Sequence, residues 1–280
     1  MQGITNGIML GIFYALIALG LSLIFGIMGI INFSHGQMYM LGGFVAYYFF
    51  SQLHLNYFVT IITAMIMVGL LGGVFERIIF RPLIDQELNA FIASLGMAWV
   101  LEMLAAIFFG PLDKNVTPPF KGVVHVIGVV FTTQRLLTVL IGLVLVMGLY
   151  LFLMQTKTGK AIRAVAQNKE AATLQGINAD RISTLSFAIG CALAGAAGVL
   201  MTPTFVINPF IGSEIILKCF VVIILGGMGS IIGPLVGGLF LGFVESFGCL
   251  FVTVPSVTLI TFVIIILILL LRPQGLLGHG

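Results

Sequence analysis

Long apolar runs, separated by short stretches of polar residues and glycine, make up most of this chain. The run at 216–247 is longer than the roughly 20 residues that cross a membrane as one helix, and the motif GGMGSIIGP interrupts it, so we expect two short helices there. We predict an all-α fold: a polytopic membrane helical bundle of about eight or nine membrane segments, two of them broken by glycine. Residues 1–280 are expected to form a single transmembrane domain. The apolar runs lie at 4–25, 37–50, 57–75, 89–109, 136–155, 183–201, 216–247 and 257–271.

The composition supports a membrane protein. Of the 280 residues, 60% are hydrophobic and 8% charged, whereas a soluble domain carries about 25% charged residues. The N-terminus lacks the basic region and small-residue cleavage site of a signal peptide, so the first apolar run is expected to be retained. The three cysteines, Cys191, Cys219 and Cys249, have the spacing of neither a disulfide framework nor a metal site, and we interpret them as small buried residues.

One polar stretch, residues 156–182, stands apart from the rest of the chain because it concentrates basic residues. Gly159 and Gly176 bracket a run rich in good helix formers, so we predict a short helix between them. Gly176 suits the left-handed position that ends a helix, and Asn178 or Asp180 can cap the next one. Such a charged helix between two spans is typical of a cytoplasmic docking element. The basic residues are Lys157, Lys160, Arg163, Lys169 and Arg181.

The orientation in the membrane follows from the basic residues, which favour the cytoplasmic side. Arg77 and Arg81 place the loop 76–88 inside, as do the charges of 156–182, and Arg272 places the C-terminus inside. The N-terminus is then external, provided that the run 37–50 crosses the membrane completely. The loops expected on the outside are 51–56, 110–135, 202–215 and 248–256.

Two glycine-rich stretches interrupt the apolar pattern within the expected membrane region, at Gly26–Gly43 and Gly226–Gly238. Non-helical backbone at membrane depth is tolerated only where it is buried in protein or lines water, and such breaks are typical of a transporter's central pathway. Close helix packing through small residues is the alternative for the glycines. The first stretch carries Asn32, Ser34, His35 and Gln37, which we interpret as pathway residues, and the second carries Ser230.

Acidic residues within the apolar runs are further candidates. Glu102 lies in the middle of the fourth run and joins the predicted pathway residues, because an intramembrane acid usually faces the bundle interior. Glu245 has the same potential, although a neutral hydrogen-bonded acid or an interfacial position would also explain it. Glu214 and Lys218 are four residues apart and are expected to pair with each other.

Four stretches, in order along nearly the whole chain, resemble the permease subunits of branched-chain amino acid (LIV type) ABC importers, the LivH-like branch. They are ALIALGLSLIFGIMGIINFSHGQMYMLGG, GKAIRAVAQNKEAATLQGINADRI, GAAGVLMTPTFVINPFIG and ILGGMGSIIGPLVGGLFLG, and a C-terminal RPQGLLG completes the likeness. Within the second stretch, Glu170-Ala171-Ala172 followed by Gly176 is similar to the EAA signature of ABC importer permeases. The resemblance implies that this helix docks into a cleft on a cytoplasmic ATPase subunit.

The residues themselves agree with that role. The chain has no Walker A motif, so any ATP energy must come through contact with another subunit. The apolar face around Ala171, Ala172 and Leu174 can pack in a groove while Lys169 and Glu170 set its register. The resemblance implies as partners a second, LivM-like permease, two ABC ATPase subunits and an extracytoplasmic substrate-binding protein, with no nucleic acid. It further implies a transport subunit that is not an enzyme and binds no cofactor itself, ATP and Mg being held by the ATPases, in the cytoplasmic membrane of a bacterium or archaeon.

The resemblance implies branched-chain or similar apolar amino acids as cargo. Permeases of the same family carry other amino acids, amides, urea or aromatic acids, and these stay open as alternatives. An ion-coupled secondary transporter would explain the broken helices but not the EAA-like helix. An intramembrane enzyme ranks behind both, because neither HExxH nor GxSG occurs.

Overall fold

The structure, a computed structural model, describes residues 2–126, 129–227, 229–230 and 232–271 of the chain. Most of this part is helical. The helices are α1 (Gln2–Met28), α2 (His35–Val45, continued by a π-helical segment at Ala46–Gln52), α3 (Tyr57–Phe75, continued by a π-helical segment at Glu76–Phe80 and a 3₁₀ turn at Arg81–Leu83), α4 (Glu87–Phe109), α5 (Thr133–Gln155), α6 (Lys157–Gln167), α7 (Lys169–Leu174), α8 (Ala179–Met201), α9 (Ile211–Gly226), α10 (Gly233–Gly248) and α11 (Val254–Leu271).

The apolar runs correspond closely to these helices, and the long run at 216–247 is divided into α9 and α10 as expected. Gly227 and Gly229 make the turn between them with φ of 93° and 81°, left-handed values that side chains with a Cβ rarely adopt. In the described part of the chain, five helices are long and apolar enough to cross a membrane: α1, α3, α4, α5 and α8. The helical membrane bundle is therefore supported, and the count of eight or nine segments stays a prediction.

The centre of the bundle is formed by α1 and α8. Within their apolar windows 78% and 72% of the residues are buried, against 33% for α3 and 22% each for α4 and α5. Helix α1 packs mainly on α10, and α8 packs on α1, α2 and α3. The outer helices expose large apolar side chains such as Ile66, Trp99 and Val144, which suits contact with lipid or another membrane subunit.

Glycines allow the central helices to approach one another closely. A Cβ on Gly238 of α10 would lie 2.7 Å from Gly11 O and Ala15 N of α1, and a Cβ on Gly20 of α1 would lie 2.5 Å from Gly190 O of α8. No larger residue fits without separating the helices. Small-residue packing, the alternative considered for the glycine-rich stretches, therefore accounts for Gly238.

Two β-strands are the exception to the all-α prediction. β1 (Val123–Val126) and β2 (Val129–Thr132) pair antiparallel within the segment predicted as the external loop 110–135. Nearby, Lys114 N donates to Ile207 O at 2.7 Å and Ile207 N to Lys114 O at 2.9 Å. This pair of hydrogen bonds joins two of the loops that were predicted to share the outer side.

Three details of the sequence interpretation need correction or fall outside the structure. Cys249 is exposed, although Cys191 and Cys219 are buried as expected. Gly159 lies inside α6 and does not mark a helix end, because the polar stretch forms two helices, α6 and α7, separated at Asn168. Arg272 and the motif RPQGLLG lie outside the described residues.

Candidate functional site

The first glycine-rich stretch forms a buried turn between α1 and α2. Asn32, Ser34 and His35 are fully buried there. Ser34 N and Oγ both donate to Asn32 Oδ1, at 3.0 and 2.7 Å, and His35 Nε2 lies 3.2 Å from Ile17 O of α1, a distance at which the Nε2–H tautomer donates. The second half of this turn is thus enclosed by protein, whereas Gly29 and Ile31 are exposed. Asn32 Nδ2 and His35 Nδ1 are buried without a partner.

Gln37 and Glu102, two of the predicted pathway residues, meet in one polar cluster. Gln37 Nε2 of α2 donates to Glu102 Oε2 of α4 at 3.3 Å and to Ser213 Oγ of α9 at 3.2 Å, and Ser213 Oγ donates to the same carboxylate oxygen at 2.6 Å. A Cβ on Gly212 would collide with Gln37 Oε1, which is buried without a partner. Three helices therefore converge on one carboxylate. Ser213 was missed from the sequence because a serine at the start of an apolar run resembles an ordinary helix end.

A different cluster, which contains an ion pair, joins α1, α9 and α10. Lys218 Nζ lies 2.8 Å from Glu245 Oε1, Tyr14 OH donates to Glu245 Oε2 at 2.5 Å, and Lys218 Nζ donates to Tyr14 OH at 3.1 Å. The expected pairing of Lys218 with Glu214 is therefore wrong, because the lysine reaches across to another helix. Glu245 is 8% exposed and lies between the helices, where it pairs with Lys218.

Ser230 lines a separate cavity of about 640 Å³ between α1, the end of α5, α6 and the turn after α9. Its backbone oxygen accepts from Ser22 Oγ of α1 at 2.9 Å, and its Oγ accepts from Gly233 N at 3.0 Å, at the start of α10. Arg163 and Gln167 bring the polar face of α6 to the same space. The cavity therefore connects the polar stretch of the sequence with the glycine-rich turn, which sequence spacing alone does not show.

The polar stretch is held in shape by side-chain caps. Thr156 Oγ1 accepts from Gly159 N at 2.9 Å at the start of α6, and Asn168 Oδ1 accepts from Ala171 N at 2.8 Å at the start of α7. Gly176 has a φ of 82°, the left-handed value predicted for it, and Asn178 Oδ1 caps α8 by accepting from Arg181 N at 3.0 Å. Of the two predicted caps for α8, Asn178 is the one that forms.

The predicted coupling residues divide into an exposed set and a buried one. Glu170, Ala171, Leu174 and Gly176 are exposed, Leu174 by 88%, whereas Ala172 is only 5% exposed. Lys169 is intermediate. Helix α7 therefore presents an apolar side chain to its surroundings while Ala172 packs against the rest of the protein.

An ion pair at the end of α3 also hydrogen-bonds to the start of α8. Arg81 Nε and Nη2 donate to the fully buried carboxylate of Glu76 at 3.2 and 3.0 Å, and Arg81 Nη2 also donates to Asp180 O at 3.2 Å. Thr184 Oγ1 of α8 donates to Glu76 Oε2 at 2.8 Å. Two-point pairing of this kind restricts orientation as well as distance. The end of α3 is consequently fixed to the start of α8, the helix that follows the polar stretch.

Comparison with known proteins places this architecture in a family. The family model for the branched-chain amino acid transport system permease component matches residues 3–271. The permease LivH of Escherichia coli (strain K12) is 34% identical over 295 residues, covering 100% of this chain and 96% of the relative. BraD of Pseudomonas aeruginosa, also a high-affinity branched-chain amino acid permease protein, is 34% identical over 294 residues with the same coverage. The ribose import permease RbsC of Escherichia coli (strain K12) is 26% identical over 246 residues, covering 83% of this chain and 73% of the relative.

No solved structure matches the chain. The family model and the relatives match nearly the whole chain, so they identify its family more securely than the short EAA-like motif does. Together with the apolar helices they show a multi-pass membrane protein that serves as a transport permease and not as an enzyme. The chain belongs to the family of branched-chain amino acid transport permeases.

Proposed function

We propose that this chain is the membrane-spanning subunit of an ATP-driven importer in the cytoplasmic membrane, translocating branched-chain or similar apolar amino acids. The observation that carries the proposal is α7: a capped helix with an exposed leucine, in a chain without a nucleotide-binding motif. Full-length relatives that are high-affinity branched-chain amino acid permeases support the cargo.

The proposed assembly contains a second, LivM-like permease, two ABC ATPase subunits and an extracytoplasmic substrate-binding protein. ATP and Mg bind to the ATPases, and this chain holds no cofactor. Residues 1–280 form one transmembrane domain of eight or nine membrane segments, in which 156–182 is the cytoplasmic coupling loop. Helices α2, α9, α10 and α11 supply the segments beyond the five long ones.

Coupling proceeds through α7 to the helices that follow and precede it. ATP-driven closure of the two ATPases displaces α7, whose exposed Glu170, Ala171 and Leu174 form the docking face with Lys169 at its edge. The turn at Gly176 and the cap at Asn178 transmit the movement to α8, and the Arg81 ion pair transmits it to α3. The ATPases shift the equilibrium because they bind one of the two permease conformations better than the other.

The translocation pathway passes the Gln37–Glu102–Ser213 cluster and the cavity that contains Ser230. These places combine polar groups with partial exposure, as a route for a small zwitterion requires. Asn32, Ser34 and His35 contribute by holding the bend between α1 and α2 that sets the position of Gln37.

Reconstituted uptake tests this function. The chain, its neighbouring permease and ATPases are placed in proteoliposomes, and the binding protein is supplied loaded with one solute at a time. ATP-dependent accumulation of leucine, isoleucine or valine is expected. ATP-dependent uptake of only another solute would support an ATP-driven importer but contradict the proposed cargo. Uptake driven by an ion gradient without ATP would contradict the whole proposal.

Gln37→Leu is expected to lower ATP-driven uptake about tenfold, because losing a hydrogen bond to a charged group costs about 1.5–3 kcal/mol, and about 1.4 kcal/mol corresponds to tenfold in rate. Uptake and ATPase activity are measured side by side, and ATPase activity should persist. Gln52→Leu is the matched control, since Gln52 lies on the π-helical continuation of α2 and is exposed. Equal uptake in the two variants would show that Gln37 contributes to packing and not to the translocation pathway.

A further inference from the structure

We propose that Arg163 binds the carboxylate of the transported amino acid in the cavity between α1, α5, α6 and the turn after α9. This rests on the proposed function, since it assigns a contact to the cargo of that transporter. It gives the polar stretch a second task besides docking, namely direct contact with the solute.

The size and walls of the cavity suit a small apolar molecule. Its volume of about 640 Å³ falls within the roughly 300–1,000 Å³ of typical ligand pockets. Leu19 and Leu23 of α1 and Leu149 and Leu153 of α5 line it, so aliphatic side chains form much of its wall. A branched aliphatic side chain would be removed from water there, which is favourable.

Arg163 supplies the one formal charge among the described residues that line this space. Its Nε is buried and has no hydrogen-bond partner in the protein. A buried donor without an acceptor is costly, and a guanidinium pairs best with a planar two-oxygen anion. A carboxylate satisfies Nε and a terminal nitrogen at once, which a chloride ion or a single hydroxyl does not.

The remaining polar lining can accept from the ammonium group of an amino acid. The hydroxyl oxygens of Ser22 and Ser230 and the amide of Gln167 line the same cavity. None of the described lining residues is acidic, so the ammonium group would be bound less firmly than the carboxylate. Weak binding at one end suits a site that must release its ligand.

The position of Arg163 on α6 connects this site to the energy-coupling segment. Helix α6 leads through Asn168 directly into α7, so a movement of the docking helix displaces Arg163 from the α1 and α5 walls. The affinity for the carboxylate then changes between the two conformations, which is the condition for directed release.

Ligand protection of a cysteine tests the proposal without depending on transport. Ile232 lines the cavity and is 54% exposed, so the substitution Ile232→Cys introduces a reactive cysteine there. Cys249→Ser removes the exposed native cysteine, and Cys191 and Cys219 are buried. The complete importer is held in nanodiscs of phosphatidylcholine without binding protein, and the alkylation rate is measured with an anionic maleimide. Leucine is expected to slow alkylation, whereas leucinamide, which lacks the carboxylate, is expected to do so at concentrations about tenfold higher.

Arg163→Gln is expected to raise the half-protecting leucine concentration about tenfold and to remove the difference between leucine and leucinamide. Arg163→Lys should recover part of the protection by leucine, because lysine keeps the charge but lacks the planar guanidinium group. Arg135→Gln, at the opposite end of α5, is the matched control and should leave protection unchanged.

Equal protection by leucine and leucinamide, or protection that Arg163→Gln does not alter, would overturn the assignment. Protection that appears only when phosphatidylglycerol is added would overturn it too, by showing a lipid headgroup in the cavity. ATP-driven leucine uptake by the unaltered complex, measured separately, would show that the proposed function stands even if this assignment fails.

Discussion

Lys218→Met is expected to lower the midpoint of thermal unfolding of the solubilised protein by about 5 °C. The substitution leaves the carboxylate of Glu245 in the bundle interior with Tyr14 as its remaining partner. Removing one partner of a fully buried ion pair costs about 3–5 kcal/mol. The side chains here are 24% and 11% exposed, which reduces the loss to about 2 kcal/mol, and that is about 5 °C for a chain of this size.

The double variant Lys218→Met, Glu245→Gln separates charge from packing. It removes the unpaired charge while the glutamine still accepts from Tyr14, so its unfolding midpoint should recover most of the loss. Lys121→Met, an exposed residue in the external segment, serves as the control. A double variant as unstable as Lys218→Met would show that the lysine acts by packing and not by charge.

Leu174→Asp is expected to reduce ATP-driven uptake at least tenfold while the protein remains folded in the membrane. Leu174 is 88% exposed, so its replacement leaves the packing of the chain unchanged, but a charge in an apolar docking groove opposes binding. A hot-spot residue near the centre of an interface contributes about 2 kcal/mol or more, equivalent to roughly 30-fold in affinity. Uptake and co-purification of the ATPase subunits should fall together.

Leu174→Met is the matched control for the docking face, because methionine stays apolar and close in volume. Gly176→Val tests the turn between α7 and α8. A β-branched residue at a φ of 82° costs about 1–2 kcal/mol, and relief of that strain tilts α7 relative to Asn178, which caps α8. Uptake is expected to fall in Gly176→Val and to persist in Leu174→Met. Normal uptake in Leu174→Asp would place the docking site elsewhere on the chain.

Most of the helices were predictable because they coincide with apolar runs bounded by polar residues or glycine, whereas α6 and α7 lie in the polar stretch. The division of 216–247 into α9 and α10 followed from run length and from GGMGSIIGP. The strands at Val123–Val126 and Val129–Thr132 were not predicted, since four-residue strands in a polar loop leave no periodic signal of sufficient length.

Local features of the candidate site were predictable for a similar reason. The left-handed Gly176 and the Asn178 cap depend on neighbouring backbone groups, which lie within three residues in sequence. Gly159 was misread because a glycine can either end a helix or permit close packing. Here it lies so close to Leu153 that a Cβ would be 2.6 Å from that residue's Cα.

The sequence by itself determined the membrane class of this protein, most of its helices, its polar stretch and the family it resembles. All of these depend on residue type over short stretches, because hydrophobicity and backbone preference act between residues that are close in sequence. Only the tertiary structure decided that Lys218 pairs with Glu245, that Gln37 meets Glu102, and that Arg163 shares a cavity with Ser230. These contacts join distant parts of the chain, and they arise from how glycine faces let helices approach, which no local pattern encodes.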